Sequence, residues 1–133
     1  MNKDVFWLRI SFWVGAIVDA VAGAAMLCPS LIGKVYGLDD FNPGAEYRYA
    51  MGLGASLMFG WTFLLLWADR KPIERKGVLL LTVFPVITGL TAAGVYAVAS
   101  ELIEFVEMIP TWSFLLILAI LFLFSYFKGG SKS

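Results

Sequence analysis

Four apolar stretches, about residues 6–27, 47–67, 77–98 and 111–127, constrain this chain more than any other feature. Each is close to the roughly 20 residues that an α-helix rising about 1.5 Å per residue needs to cross a bilayer. Backbone polar groups find no water in lipid, so a spanning helix must satisfy them internally. With 60% of 133 residues hydrophobic, 15% charged and a mean hydropathy of +0.82, a soluble domain of this size could not hide its apolar surface. The expected fold is all-α: a polytopic membrane protein forming one domain over residues 1–133, with four transmembrane helices in a bundle.

The basic residues orient those spans. Lys3, Arg9, Arg70, Lys71, Arg75, Lys76, Lys128 and Lys132, eight of the ten, fall on one side, and only Lys34 and Arg48 on the other. The positive-inside rule then expects both termini in the cytoplasm of a cell-membrane protein. Asp39, Asp40, Glu46, Glu101, Glu104 and Glu107 mirror this on the outer side. Ala22-Gly23-Ala24 has the small-x-small form of a signal-peptide cleavage site, but Asp19 interrupts the apolar core such a signal needs. Leu27 before Cys28 likewise stands where a lipoprotein signal carries a small residue, so the first stretch reads as a retained span.

Much chemistry is excluded by composition. The chain has no histidine and one cysteine, Cys28, which removes an internal disulfide, histidine-ligated haem, the usual zinc sites and Ser-His-Asp or Cys-His nucleophiles. No cofactor and no metal site is therefore expected. A formal net charge of zero gives no basic footprint for nucleic acid. Cys28, at an apolar helix end without an activating base, reads as packing.

The first helix seats Asp19 within GAIVDAVAGAA, residues 15–25, among Gly15, Ala16, Ala22 and Gly23. Small residues let a second helix approach closely and bury the carboxylate in protein instead of lipid. An acid at such depth is costly and points to function by default, although an interhelical hydrogen bond would also explain it. Pro29 and Asn42-Pro43-Gly44 bracket the first outer loop, in which 30–36 reads as a short interfacial helix closed by Gly37. The second span carries Arg48, Gly52, Ser56 and Gly60 at four-residue steps, a small-residue packing stripe topped by a cation. Its basic C-terminal turn, 70–76, reads as headgroup contact.

Pro85 removes a ladder bond near Leu81 and kinks the third span. Thr88 and Thr91 share one side of it, and Gly89, Ala92, Ala93 and Tyr96 an adjacent one. SELIEFVEMIP, residues 100–110, reads as a second interfacial helix with Glu101, Glu104 and Glu107 on a solvated face. The fourth span, apolar all round, faces lipid over much of its circumference, and 129–133 form a disordered tail. Counted by helical rise, Asp19, Ser56, Thr88 and Thr91 fall at middle to outer depth, with Arg48 above them and Tyr96 near the outer boundary. These six residues are the candidate ligand-binding pocket, and it opens outward. Arg48 and Asp19 stand roughly 9 Å apart along the membrane normal, within reach of an extended arginine on tilted helices. Failing that contact, the acid is held neutral and hydrogen-bonded to Thr91 or Ser56.

The first helix ending at Pro29, the segment closing on Gly37-Leu38, and Arg48 leading into Gly52-Leu53-Gly54 together resemble the DoxX-like group of small four-helix membrane proteins. The resemblance spans about the first half of the chain. It implies an accessory redox role, since some of that group are membrane subunits linked to quinone-coupled sulfur oxidation or thiol stress; no catalytic residue is carried over. The reading is an integral membrane binding or accessory protein with an outward polar pocket for a lipid or quinone-like ligand. The small-residue faces offer contact to a partner subunit or a second copy within the lipid bilayer. Alternatives are a small transporter or channel protomer with Asp19 on an ion path, and a purely structural subunit. Catalysis on a lipid would require a second positioned group beside Asp19, for which only Arg48 or a tyrosine is at hand.

Overall fold

The computed structural model describes residues 3–130, and all its regular elements there are helical. They are α1 (Lys3–Met26), α2 (Pro29–Val35), α3 (Ala45–Asp69), α4 (Gly77–Leu81), a kinked connection (Thr82–Ile87), α5 (Thr88–Ala99) and α6 (Phe105–Gly130). Four segments, Lys3–Met26, Ala45–Asp69, Gly77–Ala99 and Phe105–Gly129, are long and apolar enough to cross a membrane. Of the expected tail, 131–133 lie outside the described residues.

α1 and α3 run antiparallel in intimate contact. Arg9 meets Asp69, Gly15 lies beside Leu65, Gly23 beside Phe59, and Gly54 beside the Met26 side chain. α6 closes the other side of α1 through Phe122, which also abuts Gly15. At one end Lys128 lies over the Trp7 ring, 5.9 Å from its centre, so the first and last described helices finish together. We call this the termini end and the opposite one the α2 end. The core belongs to the termini half: Leu8, Phe12, Leu65, Leu79 and Phe122 are at most 1% exposed. Lipid tails are as apolar as these side chains, so what holds the helices together there is close van der Waals contact and interhelical hydrogen bonding.

The third span breaks where proline dictates. Pro85 has no N–H to give the ladder, and Phe84 before it takes an extended conformation, φ −121° and ψ 109°. Threonines flank the break: Thr88 donates to the Val83 carbonyl at 3.0 Å, and Thr82 donates to Val78 at 2.7 Å while accepting from Trp61 Nε1 at 2.9 Å. That last bond ties the broken span to α3.

Two expectations about the helices need correction. No separate interfacial helix follows α5. The chain turns at Ser100–Glu104, with Glu101 in the left-handed region at φ 61° and the Leu102 and Ile103 amides both donating to Ala97 O, and α6 then starts at Phe105. Pro110 lies in its second turn, where only one early ladder bond is forgone, and the helix runs through it instead of starting after it. The stripe Gly52, Ser56, Gly60 on α3 is also not the surface that packs on α1. A side chain at Gly52 or Gly60 would meet nothing within 4 Å, and the contacts to α1 come from Ala55, Phe59, Thr62 and Leu65. A helix is not fixed in azimuth by spacing alone; the bulkier neighbouring face gives the larger contact.

Candidate functional site

The α2 end carries a depression of about 1020 Å³ bounded by α2, the following loop and the start of α3. Pro29 opens α2, where its fixed φ suits a first helical position. Gly37 ends it in the left-handed conformation, φ 67°, with the Leu38 amide returning to Gly33 O at 2.8 Å. This closure is the Schellman arrangement, which favours glycine at that position. Gly37 is also close-packed: a Cβ there would lie 3.1 Å from Glu107 Cδ on α6. Thr111 Oγ1 donates to the Tyr36 hydroxyl at 3.3 Å, and Phe41 meets Tyr47 edge-to-face at 5.2 Å. The loop is thus pinned to both α6 and α3, as an ordered connection and not a slack linker.

Four charges line the depression: Lys34 on α2, Asp39 and Asp40 on the loop, and Arg48 on α3. No ion pair joins any of them to another. Arg48 gives two of its five N–H donors to the loop itself, Nε to Pro43 O and Nη2 to Asn42 Oδ1, each at 3.3 Å. That fixes the guanidinium at the rim, and it does not reach down to Asp19.

Asp19 is buried at 8% exposure, and its Oδ2 has no hydrogen-bond partner. It lies on the helix face between Ala16, whose carbonyl accepts from Thr62 Oγ1 at 3.2 Å, and Gly23, which itself meets Phe59 and the Ala55 carbonyl. The carboxyl is therefore set into the α1–α3 contact, about 10 Å below the end of α1 by helical rise. The hydroxyls expected to partner it serve their own helices. Ser56 donates to Gly52 O at 3.0 Å, Thr88 to Val83 O at 3.0 Å and Thr91 to Ile87 O at 2.9 Å. Ser56 and Thr88 are exposed, and Tyr96 is 74% exposed on α5. Of the six residues proposed from sequence, Arg48 alone lines the depression.

Interhelical polar contacts concentrate instead at the termini half. Ser125 donates to Trp7 O at 3.2 Å and so accepts from Ser11 at 2.7 Å, both serines being fully buried. Asp69 accepts Arg9 Nε at 2.9 Å, Arg9 Nη2 at 3.0 Å and Trp13 Nε1 at 3.2 Å. Arg9 thus forks onto a buried acid of α3 and does not simply snorkel to headgroups. Arg75 stacks on Trp67 at 3.5 Å and donates to its carbonyl at 2.6 Å. Sequence reasoning missed this network and the lining role of Lys34, Asp39, Asp40 and Asn42. For the lining residues a signal existed, since a charged loop held between Gly37 and Pro43 places its side chains around a turn.

Among the described residues no group of three or more His, Cys, Asp or Glu side chains is arranged to hold a metal ion. No family model, no curated protein and no solved structure matches the chain.

Proposed function

We propose that this chain is an integral membrane binding or accessory protein, a four-helix bundle with both termini in the cytoplasm, that holds the head of a lipid or quinone-like amphiphile at its α2 end. The observation that carries this reading is the depression of about 1020 Å³, with Lys34 and Arg48 at its edge and an ordered loop around it. Ligand pockets typically enclose about 300–1,000 Å³. Arg48 stands one turn into α3, at the level where a spanning helix meets the surface, and the helix side one turn below it is open at Gly52, with the exposed Leu53 next to it. An amphiphile matches that sequence of a charged rim above an apolar flank. In this reading the resemblance to DoxX-like proteins implies service to a quinone-linked partner complex.

Native mass spectrometry after gentle detergent extraction tests it. The expected result is one amphiphile retained per chain, with retention weakened in the double variant Lys34→Gln/Arg48→Gln while the fold is kept. Protein that flies without any retained amphiphile contradicts the proposal. The orientation has its own reporter, because Cys28 is the only cysteine and is exposed at the α2 end. A membrane-impermeant maleimide is expected to label it on intact cells; labelling only after permeabilisation reverses the topology.

One observation favours a second reading, a small transporter or channel protomer: the unpartnered, buried Oδ2 of Asp19. Ion movement in liposomes that disappears with Asp19→Asn, in protein free of bound amphiphile, would support it over the first.

A further inference from the structure

We infer that the depression at the α2 end reads a zwitterionic headgroup, a phosphate beside a primary ammonium, with Lys34 and Arg48 on the phosphate and Asp39 and Asp40 on the ammonium. This rests on the amphiphile-binding reading above and names the chemistry of its ligand. Two cations and two carboxylates share one cavity of about 1020 Å³, yet no ion pair joins them. Opposite charges around a common space that do not neutralise each other leave both signs available to a third party. An anionic head would meet two like charges there, and a neutral ring would leave four charges unanswered. A dipolar head answers both signs at once.

The positions of the charges are built in. Arg48 is held to Asn42 and Pro43, and Asp40 sits in the left-handed region at φ 52°, a conformation that Asp adopts more readily than most residues. Gly33 lets the loop close on α2, since a Cβ there would come within 2.9 Å of Phe41 Cβ. Below Arg48 the α3 face is open: Gly52 and Gly60 have no neighbour within 4 Å of an added Cβ, and the Ser56 hydroxyl is turned back onto Gly52 O. A chain attached to the headgroup finds a smooth track there, one turn below the guanidinium. The same head could arrive free in water, as phosphoethanolamine, or attached to two acyl chains.

The test is retention by the full chain in a neutral detergent, read by native mass spectrometry against phosphatidylethanolamine, phosphatidylglycerol and soluble phosphoethanolamine. The charges are exposed and each contact is modest at high dielectric, so the expected preference for the ethanolamine lipid over the glycerol lipid is about tenfold, declining with added salt. Asp39→Asn/Asp40→Asn is expected to erase that preference while binding persists, and Lys34→Gln/Arg48→Gln to weaken both lipids. All four sites are on the surface, and an unchanged melting temperature checks the fold. Equal or tighter retention of phosphatidylglycerol, or a preference untouched by the aspartate changes, overturns the inference. Binding of soluble phosphoethanolamine with no lipid retained upholds the charge reading and assigns a water-soluble source. Retention of none of the three, and of no other amphiphile, fails the pocket itself, whereas retention without headgroup preference fails only this inference.

Discussion

Replacing Gly15 with leucine is expected to abolish a monodisperse, folded protein in detergent, whereas leucine at Gly52 or Gly60 leaves the melting temperature unchanged. At Gly15 a single added carbon would stand 3.0 Å from Leu65 Cδ1 and 3.2 Å from Phe122 Cζ. Those are side-chain ends that can give by a few tenths of an ångström, so Gly15→Ala is expected to cost about 1–3 kcal/mol, the usual range for overpacking. Leucine adds three further carbons to a point where α1 meets both α3 and α6, and Leu65 and Phe122 are themselves at most 1% exposed. Gly52 and Gly60 have open space around them. Because the proposed acyl track crosses Gly52, Gly52→Leu should reduce lipid retention without altering stability. Thermal melting followed by size-exclusion chromatography checks both halves.

The second large effect runs against intuition, since removing the buried acid should make the protein more stable. Asp19→Leu is nearly isosteric, and the carboxyl it replaces has an oxygen buried without a partner. A buried polar group left unsatisfied costs about 1–3 kcal/mol, and leucine removes that penalty without opening a cavity. A rise in the detergent melting temperature of Asp19→Leu is therefore expected, with Asp19→Asn giving no comparable gain because it keeps a polar group in the same place. A fall on Asp19→Leu would mean that the carboxyl has a structural partner in the membrane. A stabilising substitution at an intramembrane acid is also the signature of a residue kept for something other than the fold.

What could be read from the chain divides along physical lines. Span number, the Pro85 break, the ordered first loop and the Gly37 closure follow from local rules, since length, hydropathy and the peculiarities of proline and glycine act within a few residues. Which face of each helix meets which neighbour does not follow from those rules. Arg48, Gly52, Ser56 and Gly60 carry the expected spacing of a packing stripe, but α3 turns Ala55, Phe59 and Thr62 toward α1 instead. The azimuth is decided by the sum of contacts over the whole helix pair, and a four-residue stripe is one contribution to that sum. Depth reckoning put Asp19, Ser56 and Thr91 at similar heights. It could not say that the hydroxyls would bond back into their own helices, an option always open to Ser and Thr at four-residue separation. Asp69 escaped notice because it stands at the charged end of α3, where acids are ordinary; only the packing of α1 puts Arg9 and Trp13 on it.

The termini half and the α2 half consequently differ in character. Buried aliphatic contacts, the Ser11–Ser125 bond and the Arg9–Asp69 pair hold the helices together near the termini. Toward α2 the interhelical polar bonds thin out, Thr111 to Tyr36 being the one from α6 to the loop region among the described residues, and a charged, open depression takes their place. A packed half carrying an ordered, charged depression at its far end is the arrangement that the proposed binding of a membrane amphiphile requires.

Photo-crosslinking tests that claim most directly. Ser30 is exposed and lines the depression, and Ile73, 47% exposed in the turn between α3 and α4, stands at the opposite end. With a benzophenone amino acid placed at one or the other and irradiated in native membranes, position 30 is expected to yield a discrete adduct with the mass of a phosphate-bearing, ammonium-bearing lipid, and position 73 only a weak spread of bulk lipids. Equal, unselective labelling at the two positions, or no lipid adduct at 30, would contradict the account.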